Sequence, residues 1–296
     1  SRNRLYFQVA AAFYPLYELN DWIRIEEENI AILQSYNTMA IKKFENGNGT
    51  MADVLRVDIM LKDAQTNLSI LRDKEKPLFT AFNNLLNRPE NEKVAISDTL
   101  TTEYLTDNFR KDSLLTNNPV LNALDLKIKA SEASEIAAQK QDMPKFGIGL
   151  DYVMVGKRGD VTLPDNGKDV LMPMVSMSIP IFRGKYKASV KEAQLMQESY
   201  AYQKEEMANT LNSDYAMAWF EIQQQQQLLS LCEQQIQTSQ QSLNLLFTAY
   251  GNSGKEFEEV LRMQQQLLKY QKMRATALSQ YQIALAKINY LTAKTY

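Results

Sequence analysis

Two short stretches of this chain resemble each other: "FENGNGTMADVLR" at Phe44–Arg56 and "YGNSGKEFEEVLR" at Tyr250–Arg262. Each one interrupts a long run of helix-forming residues with glycine and asparagine, which tolerate the left-handed backbone of a turn at a helix end. The second stretch begins 206 positions after the first, and both end in Val-Leu-Arg. The sequence therefore predicts two copies of one unit: a long helix, a tight turn and a returning helix.

The composition favours long helices and argues against several kinds of chemistry. The 296-residue chain contains 10 glycines and 8 prolines, so the main helix breakers are scarce. It has no histidine and a single cysteine, which excludes histidine-based triads, histidine zinc sites and intrachain disulfides. A net charge of −2, without a basic stripe among aromatic residues, gives no indication of nucleic-acid binding.

The sequence contains no motif of a known catalytic class. There is no phosphate-binding loop, no His-Glu-x-x-His helix and no nucleophile–base pair. Asp53, Asp58 and Asp63 recur along one predicted helix, but this spacing turns each carboxylate about 140° from the last, so they cannot form a metal cluster. We therefore expect a protein that is not an enzyme and that has no metal site and no cofactor.

Helical periodicity organises the first part of the chain. Apolar residues over Phe7–Glu45 predict a first helix, kinked at Pro15. Thr50, with Asp53 three residues later, predicts an N-capped second helix. This second helix is expected to bend or break at Pro77.

The connector that follows is predicted to hold a short strand and then a helix. Val94 and Ile96 alternate with other residues and indicate the strand. Pro119 suits the first turn of a helix, which should run to about Gln141.

The period then falls to two residues, which predicts a β-hairpin. Apolar side chains alternate through Phe146–Tyr152, and a return strand lies within Val170–Phe182. Strands of about ten residues with this pattern suit a transmembrane barrel, so one face should meet lipid. Pro173 and Pro180 are expected at barrel ends or bulges, because proline cannot donate to a ladder.

Three methionines of the return strand raise the question of a copper site. Alternation places Met172 and Met174 on one face and Met177 on the other. The three thioethers therefore cannot converge on one ion, and packing in the barrel wall is the preferred interpretation.

A very long helix is predicted after the hairpin. From Lys185 to about Ala249 nothing breaks a helix, and so many residues would span about 100 Å. Such a helix needs a partner along its length. Phe257–Lys294 is predicted to provide it as the returning helix.

This interpretation divides the chain into five segments. They are a first helical hairpin (1–93), a connector (94–118), a helix leading to the strands (119–143), the β-hairpin (144–182), and the second long helix with its helical hairpin (183–296).

The order of these elements resembles the TolC family of outer-membrane efflux proteins. "FNNLLNRP" also resembles the metal-efflux branch of that family. The stretches that carry the resemblance are "ENGNGTMADVLR", "FNNLLNRPENEKVAISDTL", "NPVLNALDLKIKASEASEIAAQKQDMPKFGIGLDY", "PMVSMSIPIFRGKYKASVKEAQ" and "YGNSGKEFEEVLRMQQQLLKYQ".

The resemblance implies a mainly α fold with very long antiparallel coiled-coil helices and a β-hairpin of a transmembrane barrel. Family members are homotrimers whose strands form the barrel in the outer membrane and whose helices form a periplasmic tunnel. They dock with a periplasmic adaptor and an inner-membrane pump. The family's protomer has two strand hairpins, so the resemblance implies a first hairpin outside this chain.

The resemblance also implies functional residues at the two turns. Tyr250 and Lys255 match a tyrosine and a basic residue that bind an aspartate, matched by Asp53, and keep the tunnel closed. Glu259 matches the first acidic residue of an entrance ring, whereas Arg262 occupies the place of the second and departs from the pattern. The turns are also expected to dock the adaptor, through Asn46, Gly47, Gly49, Leu55, Gly251, Gly254 and Leu261.

The expected function is passive export of small molecules across the outer membrane of a Gram-negative bacterium. The exported class is open among drugs, metal ions and secreted proteins. A periplasmic coiled-coil scaffold without transport is the alternative. A lipid-patterned β-hairpin favours the duct, because a scaffold has no use for it.

Overall fold

The fold is described by a computed structural model that covers most of the chain. The described residues fall into two compact units, Ser1–Pro119 with Thr210–Tyr296, and Val120–Asn209. The structure describes residues 2–90, 92–96, 100–103, 105–160, 164–253 and 257–294.

Long helices and one β-hairpin make up the described chain, which confirms the predicted fold class. None of its helices is both long enough and apolar enough to cross a membrane. The elements are α1 (Arg2–Glu45), α2 (Met51–Leu85), α3 (Ser113–Thr116), α4 (Pro119–Gln141), β1 (Lys145–Val153), β2 (Val170–Ser178), α5 (Gly184–Ser253) and α6 (Phe257–Leu291).

Two prolines lie inside helices. Pro15 is within α1 and Pro77 within α2, and neither helix ends at its proline. Of the two outcomes expected at Pro77, a bend or a break, the break therefore does not occur. An interior proline costs roughly 3 kcal/mol, but Leu71 and Phe82 are buried on either side of Pro77 and hold both parts of α2 in place by packing.

The short strand predicted at Val94 and Ile96 does not form, since residues 92–96 carry no strand. The segment before them instead folds back onto the end of α2. The buried Asn83 side chain donates to the carbonyls of Glu90 at 3.2 Å and Glu92 at 2.8 Å. The carbonyls of this segment therefore accept hydrogen bonds from a side chain of α2, whereas in a strand they would accept them from the backbone of a neighbouring strand.

The unit that contains the hairpin tips packs around α1, which contacts α2 and α6. Its core is formed by apolar residues of α1, α2, α5 and α6, and the turn-proximal end of that core is rich in aromatic rings. The buried members are Leu33, Tyr36, Ala40, Val57, Ala64, Leu243, Tyr250, Phe257, Val260, Leu261 and Leu267.

A chain of buried polar groups crosses between α1 and α6 in the same unit. The Glu26 carboxylate is 1% exposed and forms an ion pair with Lys272. The Asn29 amide donates to Glu26 at 3.4 Å and accepts from Gln264 at 3.2 Å. A buried carboxylate is tolerated here because a cation and a hydrogen-bond donor both contact it.

The second unit consists of α4, the β-hairpin and the first part of α5. The Ser131 hydroxyl donates to the Ala193 carbonyl at 3.0 Å, which brings α4 and α5 close together. Glu135 accepts from Gln194 at 2.9 Å and from Gln197 at 2.8 Å. These two bonds lower the pKa of the Glu135 carboxyl.

The β-hairpin has a continuous antiparallel register from Lys145 opposite Ser178 to Val153 opposite Val170. Residues that face each other lie on the same side of the sheet, so one side is almost wholly apolar. It consists of Phe146, Ile148, Leu150 and Tyr152 on β1 and Leu171, Pro173, Val175 and Met177 on β2.

Pro173 does not lie at a bulge or at a strand end, contrary to expectation. It faces Leu150 inside the regular register. Opposed pairs alternate between hydrogen-bonded and non-hydrogen-bonded geometry, and proline fits a non-hydrogen-bonded pair because its nitrogen then faces away from the neighbouring strand. Pro180, by contrast, follows the end of β2.

Candidate functional site at the hairpin tips

The first tip begins where α1 ends, at Glu45. The N–H of Asn48 donates to the Lys43 carbonyl at 2.8 Å, and the N–H of Gly47 donates to Phe44 at 3.0 Å. This is the Schellman pattern, in which the residue after the helix adopts a left-handed backbone. Gly47 does so with φ of 69°, so a side chain at this position would strain the turn.

Gly49 lets the turn close tightly onto α1. A Cβ atom at this position would lie 3.0 Å from the Lys43 Cβ and 3.2 Å from the Phe44 nitrogen. Part of that contact is backbone, which cannot rotate away as the end of a side chain can. The missing side chain of Gly49 therefore permits the turn to pack against Lys43.

The second helix starts with the capping box that the sequence predicted. The Asp53 N–H donates to the Thr50 hydroxyl at 3.2 Å, and the Thr50 N–H donates to the Asp53 carboxylate at 3.3 Å. The Thr50 hydroxyl also donates to this carboxylate at 2.7 Å. Asp53 is thus buried and engaged in its own helix cap.

An exposed ion pair joins the starts of the two returning helices. The Arg56 guanidinium lies 3.1 Å from the Glu258 carboxylate and 3.8 Å from that of Asp53. Pairs on the surface contribute about 0–1 kcal/mol each. The link is therefore weak, although it connects α2 to α6.

Tyr250 lies fully buried in the last turns of α5. Its ring stacks on Phe257, the first residue of α6, with centroids 4.4 Å apart and an interplanar angle of 24°. Its hydroxyl has no hydrogen-bond partner in the part of the chain that the structure describes. Burial, and then the charge of Asp53, raise the pKa of the Tyr250 phenol.

Lys43 connects α1 to the C-terminal end of α5. Its Nζ donates to the Tyr250 carbonyl at 2.8 Å and to the Gly251 carbonyl at 3.1 Å. The same ammonium lies 4.7 Å from the centroid of the Tyr250 ring. One side chain thus makes three contacts across a separation of about two hundred residues.

The structure brings together some of the residues expected to form a gate. Asp53 and Tyr250 are close enough for the charge of one to affect the phenol of the other, but no hydrogen bond joins them. Glu259 pairs with Arg262 on the exposed side of α6, so the arginine neutralises the acidic residue next to it. Lys255 lies outside the described residues.

The residues expected to dock an adaptor differ in accessibility. Leu55 is 52% exposed, whereas Leu261 is 5% exposed and belongs to the core of the chain. Asn46 and Gly47 are exposed in the first turn. Gly251 is also exposed, but it lies in the last turn of α5 and not in a loop. Gly254 lies outside the described residues.

Sequence reasoning missed four side chains of this site: Lys43, Arg56, Phe257 and Glu258. An aromatic residue on each side of the second turn was a usable signal, because Tyr250 and Phe257 frame it in the sequence. Lys43 gave no such signal. A lysine in the last turn of a helix is common, and the neighbouring sequence does not indicate which helix end its ammonium contacts.

The described residues contain no group of three or more histidine, cysteine, aspartate or glutamate side chains that could hold a metal ion. The described part of the site consists of the first turn with its capped helix ends, the last turns of α5, an aromatic cluster and two cationic side chains that connect them. Such an arrangement holds the ends of the helices together.

Comparison with known proteins agrees with this architecture. Residues 111–294 match the family described as outer membrane efflux protein. No curated protein matches the chain by sequence at a significant level.

Solved structures share the fold at low sequence identity. The outer membrane protein VceC from Vibrio cholerae aligns with a TM-score of 0.83 and 17% identity, over 98% of this chain and 70% of VceC. The outer-membrane channel OprN gives 0.82 and 17%, over 99% and 66%. CusC gives 0.84 and 15%, over 98% and 68%. Because the family match covers more than half of the chain, this protein belongs to the outer membrane efflux protein family.

Proposed function

We propose that this chain forms a protomer of a homotrimeric duct through which small molecules leave the periplasm across the outer membrane. The family match and the shared fold support this role. The observation that carries it furthest is the meeting of both hairpin tips in one site, where Asp53, Tyr250 and Lys43 lie together at the ends of long helices.

The β-hairpin is proposed to enter the outer membrane as part of a barrel. Its apolar side is strongly exposed in the isolated chain, with Ile148 at 93% and Val175 at 80%. Exposure of a continuous apolar face is costly in water. Lipid on this face and neighbouring strands at the hairpin edges would remove that cost.

The tips are proposed to form a gate that opens when a partner binds. Most charged links at this site are exposed, so each contributes little to closure. A periplasmic adaptor could therefore shift the balance between closed and open tips with modest binding energy. The inner-membrane pump would provide the energy for transport, and this chain would provide the path.

Docking of the adaptor is proposed at the exposed surface of the tips. Asn46, Gly47, Leu55 and Gly251 offer this surface. An adaptor bound to these residues would contact both turns at once and could move the turns apart.

Single-channel conductance of the full-length protein in planar bilayers tests the duct and the gate. The double variant Asp53→Ala with Tyr250→Ala should raise conductance severalfold, because it removes a helix cap and an aromatic contact at the tips. Asp58→Asn is the matched control, since the partly exposed Asp58 carboxylate of α2 pairs with Lys62 at 2.7 Å.

Each outcome of this experiment has a separate meaning. Channels whose conductance is the same in the double variant and the control would contradict the gate but not the duct. A full-length protein that forms no channel would contradict the duct. In that case, normal assembly after deletion of residues 144–182 would favour a coiled-coil scaffold.

A further inference from the structure

We infer that Lys43 is a positioning residue of the gate: it holds the C-terminal end of α5, and with it Tyr250, against the end of α1. We call the contact of the Lys43 ammonium with the carbonyls of Tyr250 and Gly251 the Lys43 latch. The role of the latch in gating rests on the proposed function, whereas the latch itself is a contact within the chain.

The latch satisfies groups that a helix end leaves without partners. The last carbonyls of an α-helix have no N–H donor within the helix. Tyr250 and Gly251 contribute two such carbonyls, and the Lys43 Nζ reaches them at 2.8 Å and 3.1 Å. The ammonium has three N–H groups, so both bonds can form while the charge remains over the Tyr250 ring at 4.7 Å.

Electrostatics favours a cation at this position. The C-terminal end of a helix carries a partial negative charge, which a lysine or arginine in the last turn usually offsets. The last turn of α5 has no basic residue of its own. The last turn of α1 has Lys42 and Lys43, and its end is already closed by the Gly47 turn. The end of α1 therefore does not require the Lys43 ammonium, which instead provides the positive charge that the last turn of α5 lacks.

The neighbouring turn holds Lys43 in place. Gly49 closes the turn against the Cβ of Lys43, and Lys43 is partly buried. The side chain therefore starts from a fixed point, which lowers the entropy lost when the ammonium binds α5. The first turn thus shapes a contact made by the second.

The latch explains how the buried phenol of Tyr250 keeps its place although its hydroxyl has no partner among the described residues. The backbone of Tyr250 is bound by Lys43, and its ring contacts both the ammonium and Phe257. Loss of the ammonium would free the last turn of α5 and weaken the hold on the ring. Closure of the tips would then depend on the exposed Arg56–Glu258 pair and on apolar packing.

Hydrogen exchange of the full-length protein tests the latch without any assumption about transport. Lys43→Met keeps an unbranched apolar stem but removes the charge and the donors. Exchange of the amides in the last turns of α5 should become roughly fivefold faster, the change that corresponds to about 1 kcal/mol of lost charge–dipole stabilisation. Lys42→Met is the matched control, because Lys42 is exposed in the same turn of α1. Lys43→Arg should restore slow exchange.

Conductance of the same variants tests the role in the gate. Lys43→Met should raise single-channel conductance, Lys43→Arg should restore it, and Lys42→Met should leave it unchanged, with trimer yield equal in all. Equal exchange at the end of α5 in both methionine variants would overturn the latch. Faster exchange with unchanged conductance, in a protein whose Asp53 and Tyr250 variant does open, would overturn only the gating role. A protein without channels would contradict the proposed function and leave the exchange result to decide the latch.

Discussion

A single hydroxyl at the tip distinguishes two ways in which Tyr250 could act. The resemblance implied that this tyrosine binds an aspartate, but the carboxylate of Asp53 is engaged by Thr50. The phenol oxygen is buried without a partner in the described chain, while the ring stacks on Phe257. The aromatic ring, and not the hydroxyl, therefore holds Tyr250 in place in this structure.

This difference can be measured with Tyr250→Phe. A buried hydroxyl without a partner costs about 1–3 kcal/mol of desolvation, so its removal should leave thermal stability unchanged or raise it slightly. Tyr250→Leu should lower stability, because it removes the stacked ring. The melting temperatures of both variants, in the same detergent, provide the measurement. A marked loss of stability in Tyr250→Phe would mean that the hydroxyl has a partner in the native assembly.

Among the elements, the β-hairpin permits the most specific test, because the side chains on its two faces differ strongly in polarity. Val175 faces Ile148 on the apolar side, and Ser176 faces Gly147 on the other. Both residues lie in β2 and both are exposed in the isolated chain. They are adjacent in sequence, so a pair of substitutions can separate the sides without changing the depth in the membrane by more than one residue.

We expect Val175→Lys to impair membrane insertion and Ser176→Lys to be tolerated. A lysine on the lipid side of a barrel costs about 2–4 kcal/mol near the midplane, whereas a lysine on the inner side remains in water. The yield of heat-resistant trimers in outer-membrane fractions measures the effect. Similar yields from the two variants would show that the apolar side does not meet lipid.

Elements set by local chemistry were predictable, and contacts between distant elements were not. Thr50 and Asp53 form their capping box within one turn, and Pro119 starts α4 by its own geometry, so a short stretch was enough in both cases. Leu55 and Leu261 occupy matching places in the two repeats, yet one is exposed and the other buried. Only the packing of α6 into the core makes that difference. The contact of Lys43 with α5 could not be predicted from the local sequence for the same reason, because it joins residues that lie far apart in the chain.

For the molecule as a whole, the composition excludes the side chain that usually acts as a pH switch near neutral pH. The chain contains no histidine, the side chain that ordinarily titrates there. Among the residues that the structure describes, burial raises the pKa of four tyrosines, one of which lies at the tip. They are Tyr36, Tyr215, Tyr250 and Tyr281.

We therefore expect stability to be nearly constant from about pH 6 to 9 and to fall in alkaline solution. The folded chain keeps these phenol protons to a higher pH than the unfolded chain, in which tyrosine titrates near pH 10. Their contribution is complete below that pH and is lost as pH rises through the folded pKa values. Melting temperatures across this range provide the measurement, and a step between pH 6 and 8 would contradict the expectation.

The buried polar chain from Lys272 through Glu26 and Asn29 to Gln264 makes the contact of α1 with α6 discrete. Side chains of similar apolar character could slide past one another by small amounts at little cost. A carboxylate cannot, because a shift by one helical turn, about 5.4 Å, would separate Glu26 from Lys272 and leave a charge alone in the core. The two helices therefore have one allowed alignment at this depth. If the tips open as proposed, we expect α1 and α6 to bend or rotate together between this contact and the turns, because the buried ion pair keeps them aligned.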